Sequence, residues 1–136
     1  MLERSLPMVM TPSEYDEAKN FHQWLSIKDI KHSAIPNETG GSPEAKRRAI
    51  RMKRQGTSRG VPDYLILIAP EQSKDGEGYC LFIELKRLKG GKVSPEQQSW
   101  LDALNQTPVH AYLAKGCDAA IKIVEHYLKE PKSFKF

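Results

Sequence analysis

Three ionisable residues stand in the two most apolar stretches of this 136-residue chain: Asp63 at the mouth of "GVPDYLILIA", and Glu84 and Lys86 within "CLFIELKR". Strand side chains alternate faces, so Glu84 and Lys86 share one face with Cys80 and Phe82, and Leu81, Ile83 and Leu85 share the other. If the two stretches pair as an antiparallel hairpin, Asp63 lies beside Glu84 and Lys86 at one edge of the sheet. Two carboxylates brought together repel unless a cation separates them, and a hard ion such as Mg²⁺ or Mn²⁺ suits their oxygen donors. Phosphodiester hydrolysis has a use for that set: a positioned water, neutralised phosphoryl oxygens and support for the leaving oxygen. Lys86 could orient the water, help to deprotonate it, or stabilise the transition state. On pattern alone a second reading stands, in which Glu84 and Lys86 line a solvated edge strand and Asp63 is a turn residue after Pro62.

The elements that would position these groups read as α, β, (α), β, β, α, β, α. Thr11-Pro12-Ser13-Glu14 reads as a helix start, with Thr11 capping, Pro12 in the first turn and Glu14 closing the box, and the helix runs to about Leu25. A short strand within Ile30–Asn37 ends at Pro36, and Pro43–Arg54 forms a helix with a dense basic face. Strands follow at about Pro62–Ala69 and Tyr79–Arg87, joined by the polar link "PEQSKDGEG". Ser94 caps a helix to roughly Asn105 that faces inward through Trp100, Leu101 and Leu104. A fourth strand, Val109–Ala114, and a helix over Asp118–Lys129 complete the order. Hairpin-joined strands mixed with crossover helices predict one α/β domain on a mixed sheet, its core at about residues 11–129.

Composition narrows the partners. Apolar residues make up 39% of the chain, and 21 Lys and Arg against 17 Asp and Glu leave a net charge of +4. The excess is modest, but Lys46, Arg47, Arg48, Arg51, Lys53, Arg54 and Arg59 crowd one segment just ahead of Asp63. Arg47, Arg51 and Arg54 follow helical spacing, and Lys89 and Lys92 lie close after Lys86; such a face fits a phosphate track. Cys80 and Cys117 are well separated without ligand-like spacing to a histidine, so a reduced, cytoplasmic protein is expected. No stretch is apolar for the roughly 20 residues of a membrane span, and "MLERSLPMVM" does not read as a signal peptide. The four histidines do not cluster in sequence, and His32 and His110 read as structural.

The segments "IPNETG", "SRGVPDYLIL", "LFIELKRLKGGKVSPEQQSWLDAL" and "KGCDAAIKIVEHYL", in this order from about Ser13 to Leu128, resemble the VRR-NUC branch of the PD-(D/E)xK nuclease superfamily, especially its small stand-alone bacterial and phage members. An Asp…Glu-x-Lys alone is weak; GVPD ahead of it and Ser-x-x-Gln-x-x-Trp-Leu behind it make the signal strong. The resemblance implies a restriction-endonuclease-like fold, an αβββαβ core with an inserted basic helix and a C-terminal helix, and a divalent-metal-dependent DNA nuclease. It puts Asp63, Glu84 and the Leu85 main-chain carbonyl on the metal and makes Lys86 the catalytic lysine. It maps a first-helix glutamate to Glu14, with Glu17 one turn further along as the alternative. It gives Gln97 a place near the metal, where Gln97 could equally serve only the Ser94 cap. Asn37 and Glu38 fall in the family-like "PNE" stretch, Asn37 as a DNA contact or as a residue that pins the loop. Small relatives resemble Holliday-junction resolvases and often act as homodimers, which fits a chain without a separate DNA-recognition domain. Flap or nicking activity would use the same residues, and a catalytically inactive nucleic-acid-binding protein is the rival from another class. Nothing in the residues detects a 2′-hydroxyl directly.

Overall fold

The computed structural model describes residues 12–36 and 41–130. Its elements are α1 (Glu14–Ile27), β1 (Lys31–Ala34), α2 (Pro43–Arg54), β2 (Tyr64–Ile68), β3 (Tyr79–Lys86), α3 (Pro95–Leu104), β4 (His110–Lys115) and α4 (Cys117–Glu125). The strands form one mixed sheet in the order β1-β2-β3-β4, antiparallel except for the parallel β3–β4 pair. That pair needs a crossover, and α3 supplies it. β1 and β2 are antiparallel neighbours, for which a tight turn would be enough, so α2 is an insertion in their connection. It packs closely on no other helix or strand among the described residues.

The first three helices each have a local reason to start where they do, whereas α4 has no side-chain cap of its own. Ser42 accepts from Ala45 N–H ahead of Pro43 in the first turn of α2. Ser94 and Gln97 form a capping box for α3. For α1 the expectation needs correcting. Ser13 is the cap and Asp16 closes the box with its carboxylate, while Thr11 lies outside the described residues. Serine is a somewhat better cap than threonine, and Asp16 stands three residues after Ser13, as Glu14 does after Thr11. The far end of α1 closes with Asp29 N–H on the Ser26 carbonyl and Ile30 N–H on the Leu25 carbonyl. Asp29 takes the left-handed conformation that this reversal requires (φ 55°), and the chain turns back into β1.

The two sheet faces differ. Leu81, Ile83 and Leu85 point into a core with Tyr64, Ile66 and Ile68, roofed by Phe21 and Leu25 of α1 and by Ala120 and Val124 of α4. α3 lies over the opposite face near β4, where the Asn105 side chain clasps both backbone groups of Ala111 at 2.8 and 2.9 Å. Leu101 is buried there, whereas Trp100 and Leu104, expected to face inward, are half-buried. α4 stops at Glu125, short of the expected Lys129. Leu128 instead bridges to Ser73 in the β2–β3 link. No helix among the described residues is long and apolar enough to cross a membrane.

Candidate active site at the end of the central strands

The antiparallel register sets Tyr64 against Ile83, so the next residues outward, Asp63 and Glu84, meet across the strand ends. Oδ2 of Asp63 accepts the Leu85 N–H at 2.8 Å, extending the ladder by one side-chain rung. The segment leading into Asp63 is held against α3 at Gly60. A Cβ there would sit 2.5 Å from the backbone carbon of Glu96 and 2.7 Å from the amide nitrogen of Gln97, and φ is +91°. Only glycine satisfies both conditions. The chain therefore reaches Asp63 over a buried Pro62, with its distance to the first turn of α3 set.

Glu84 is 2% exposed, and its two oxygens have different surroundings. Oε1 takes Nζ of Lys86 at 3.3 Å and the Gln97 side-chain amide at 2.8 Å. Oε2 is buried and has no hydrogen-bond partner among the described residues. Burial first, and then the Asp63 charge, push the Glu84 carboxyl up from its ordinary value of 4.5 to about 7, against the pull of Lys86. Asp63 is also raised, again mainly by burial, with the Leu85 N–H opposing. Two carboxylates raised by desolvation, one of them further by its neighbour's charge and carrying an oxygen without a partner, are a mismatch that a cation relieves. The donors are all oxygen, so the residues fit a hard divalent ion such as Mg²⁺ or Mn²⁺. Among the described residues no third His, Cys, Asp or Glu closes the pair into a larger cluster.

The VRR-NUC domain model matches residues 8–118, which contain every group named above. The chain belongs to the VRR-NUC domain family. Two solved structures share its fold. One, described as "VRR_NUC domain protein", superposes with a TM-score of 0.66 at 23% identity, covering 85% of this chain and 88% of that one. Another, described as "VRR_NUC domain", gives 0.58 at 15% identity over 85% and 99%. No curated protein matches the chain. The αβββαβ core, with its inserted basic helix and C-terminal helix, is the restriction-endonuclease-like architecture expected for the PD-(D/E)xK superfamily.

In this VRR-NUC domain the two candidate glutamates of α1 have separate surroundings. Glu17 is buried and accepts the Cys117 N–H, the first amide of α4. Glu14 is exposed, outside the capping box, and its charge raises the proton affinity of both Asp63 and Glu84. It acts on them by field without forming a three-carboxylate cluster with them. Gln97 serves both uses considered for it. Its carbonyl accepts the Ser94 N–H at 2.9 Å while its amide reaches Glu84, so one side chain caps α3 and orients the carboxylate.

Lys46, Arg47, Arg48, Arg51, Lys53 and Arg54 are exposed along α2, and Arg59, Lys89 and Lys92 are exposed in loops. Asn37 and Glu38 lie outside the described residues. Two features escaped the sequence reading. One is the Glu17 tie between α1 and α4, which only packing reveals. The other is a contact between His22 and His32, ten residues apart in the chain with a helix end between them. Histidine at both ends of a helix-to-strand reversal was the available signal.

Proposed function

We propose that this VRR-NUC domain is a divalent-metal-dependent DNA endonuclease, acting on branched or otherwise structured DNA such as a Holliday junction, as a homodimer in a reducing cytoplasm. The observation that carries the proposal is the bare, buried Oε2 of Glu84 beside Asp63, with a lysine cation at the same carboxylate. Asp63 and Glu84 hold the ion, with the Leu85 carbonyl as the ligand implied by the family. Glu14, at the first turn of α1, adds negative charge to the same region. When bound, Mg²⁺ or Mn²⁺ supplies charge neutralisation at the phosphoryl oxygens.

The chain's own groups do the rest. Gln97 and Lys86 engage Oε1 of Glu84, which leaves Oε2 as the atom that would bind the cation. The Leu85 N–H fixes the rotamer of Asp63. Lys86 carries its positive charge to the scissile phosphate and stabilises the negative charge that grows there as water adds to phosphorus. The attacking water gives up one proton to solvent as its bond to phosphorus forms, the P–O bond to the leaving sugar breaks, and that oxygen takes up one proton from solvent. The basic side chains of α2, with Arg59, Lys89 and Lys92, neutralise flanking phosphates and set the register of the strand without reading bases. Two such sites in a homodimer cut the two strands of a junction symmetrically.

The proposal is tested by cleavage of four-way junction, flap, nicked, duplex and single-stranded DNA in Mg²⁺, Mn²⁺ or EDTA, with mass measured in solution. Cleavage is expected with either metal, strongest on the junction and by a dimer. Activity that persists in EDTA contradicts the metal dependence, and a strictly monomeric active enzyme contradicts paired junction cuts.

A further inference from the structure

His22 on α1 and His32 on β1 face each other where the helix packs on the edge strand, with Nδ1 of His22 2.7 Å from Nε2 of His32. The ring centroids are 5.0 Å apart and the planes are inclined at 56°. Neither ring takes part in the Asp63–Glu84 site. The other nitrogen of His32, Nδ1, lies 2.7 Å from the Ile30 carbonyl oxygen. A carbonyl only accepts, so Nδ1 of His32 carries a hydrogen, and in the neutral ring Nε2 presents a lone pair. That lone pair is directed at His22. A far nitrogen pinned by a backbone acceptor and a near nitrogen left bare is the arrangement in which histidine enters a metal's coordination sphere.

In the neutral pair the hydrogen filling the gap sits on Nδ1 of His22. Exchange with water that moves it to Nε2 of the same ring turns a second lone pair to the same point and leaves the ring's charge unchanged. We infer that His22 and His32 form a two-histidine site for a late first-row divalent ion: Zn²⁺, Ni²⁺ or Cu²⁺. A tetrahedral ion at ordinary Zn–N distances holds two nitrogens about 3.3 Å apart, so the rings need to separate by about 0.6 Å. The His22 ring is exposed and has room for that movement. Imidazole nitrogen favours these ions over Mg²⁺, which prefers oxygen, so the site differs in kind from the carboxylate pair. No third His, Cys, Asp or Glu among the described residues joins it, and water completes the coordination. The two ligands belong to different elements, so the ion binds the folded chain, ties α1 to the edge strand and raises the melting temperature.

The test uses untagged full-length protein titrated with Ni²⁺ and Zn²⁺ in excess Mg²⁺, followed by calorimetry and by the histidine ring resonances. It compares wild type, His22→Ala, His32→Ala and the double variant Asp63→Asn/Glu84→Gln. One ion per chain is expected with either Ni²⁺ or Zn²⁺, with shifts at both rings. Either histidine variant should weaken binding about ten-fold or more and abolish the metal-dependent rise in melting temperature. The carboxylate double variant should bind as wild type does. Absence of binding, binding that survives in both histidine variants, or binding that disappears with the carboxylates overturns the assignment. Melting in EDTA reports whether each variant folds, and because His22 is exposed its variant carries the test should His32→Ala fail to fold.

Discussion

On one face of β3, Leu81, Ile83 and Leu85 are closed under α1 and α4 at 0, 0 and 1% exposure, with apolar neighbours on every side. On the other face Glu84 is nearly as inaccessible, yet it keeps one oxygen without a partner and faces a second carboxylate. The same strand carries both, one residue out of phase. Depth therefore does not mark the site, because a core leucine and Glu84 are equally dry. The mark is a buried polar atom that the described residues leave unsatisfied. Such an atom costs on the order of 1–3 kcal/mol, more when charged, and the well-packed opposite face holds the strand in place despite that cost.

The largest effect expected from breaking this contrast is on catalysis. Lys86→Ala removes the cation beside Glu84 and should lower the cleavage rate by about 10²–10⁴-fold, the range for a lost proton-transfer or charge-stabilising group. The melting temperature should change little. Ile83→Ala, one residue earlier and on the core face, should behave in the opposite sense. It should cost about 2–5 kcal/mol of stability in urea unfolding, with the rate per folded molecule close to wild type. If Ile83→Ala abolished chemistry in fully folded protein, the two faces would not be separable.

A smaller effect sharpens the comparison through pH. The Glu84 carboxyl rises from an ordinary 4.5 to about 7 in the folded chain, mainly through burial. Below the lower value it is neutral in both the folded and the unfolded state, and the stability associated with the neutral form is fully present. As pH climbs, the unfolded chain releases its proton first, so stability falls until pH passes about 7. In EDTA the wild-type melting temperature should decline across that window more steeply than that of Glu84→Gln. Parallel curves would show that Glu84 does not titrate as its surroundings require.

Much of this arrangement was legible in the chain. The alternation in "CLFIELKR" assigns Glu84 and Lys86 to one face, and the basic helix expected at Pro43–Arg54 is α2 with those bounds. What stayed hidden depended on partners distant in sequence or on a choice between nearly equivalent signals. Thr11 and Ser13 are both good caps, and each has an acidic residue three positions on, so local sequence could not select Ser13. Glu14 and Glu17 lie about one helical turn apart. Only the packing of α1 on α4, which brings the Cys117 N–H to Glu17, separates the buried tie from the exposed neighbour of the site. Cap and site are alternatives for Gln97 in the sequence, and the structure joins them because the two ends of its amide bond in different directions. The His22–His32 contact depends on the reversal at Asp29, a left-handed residue that is not glycine.

On the proposed function Asp63 and Glu84 hold a divalent ion in addition to the Lys86 charge. The most direct test is a Mn²⁺ titration of the wild type, Asp63→Asn and Glu84→Gln, read by calorimetry and by the paramagnetic signal of free Mn²⁺, with folding verified for each. Saturable binding in the wild type that weakens about ten-fold or more in either variant is the expected result. Equal binding in all three proteins, or none in the wild type, would contradict the account.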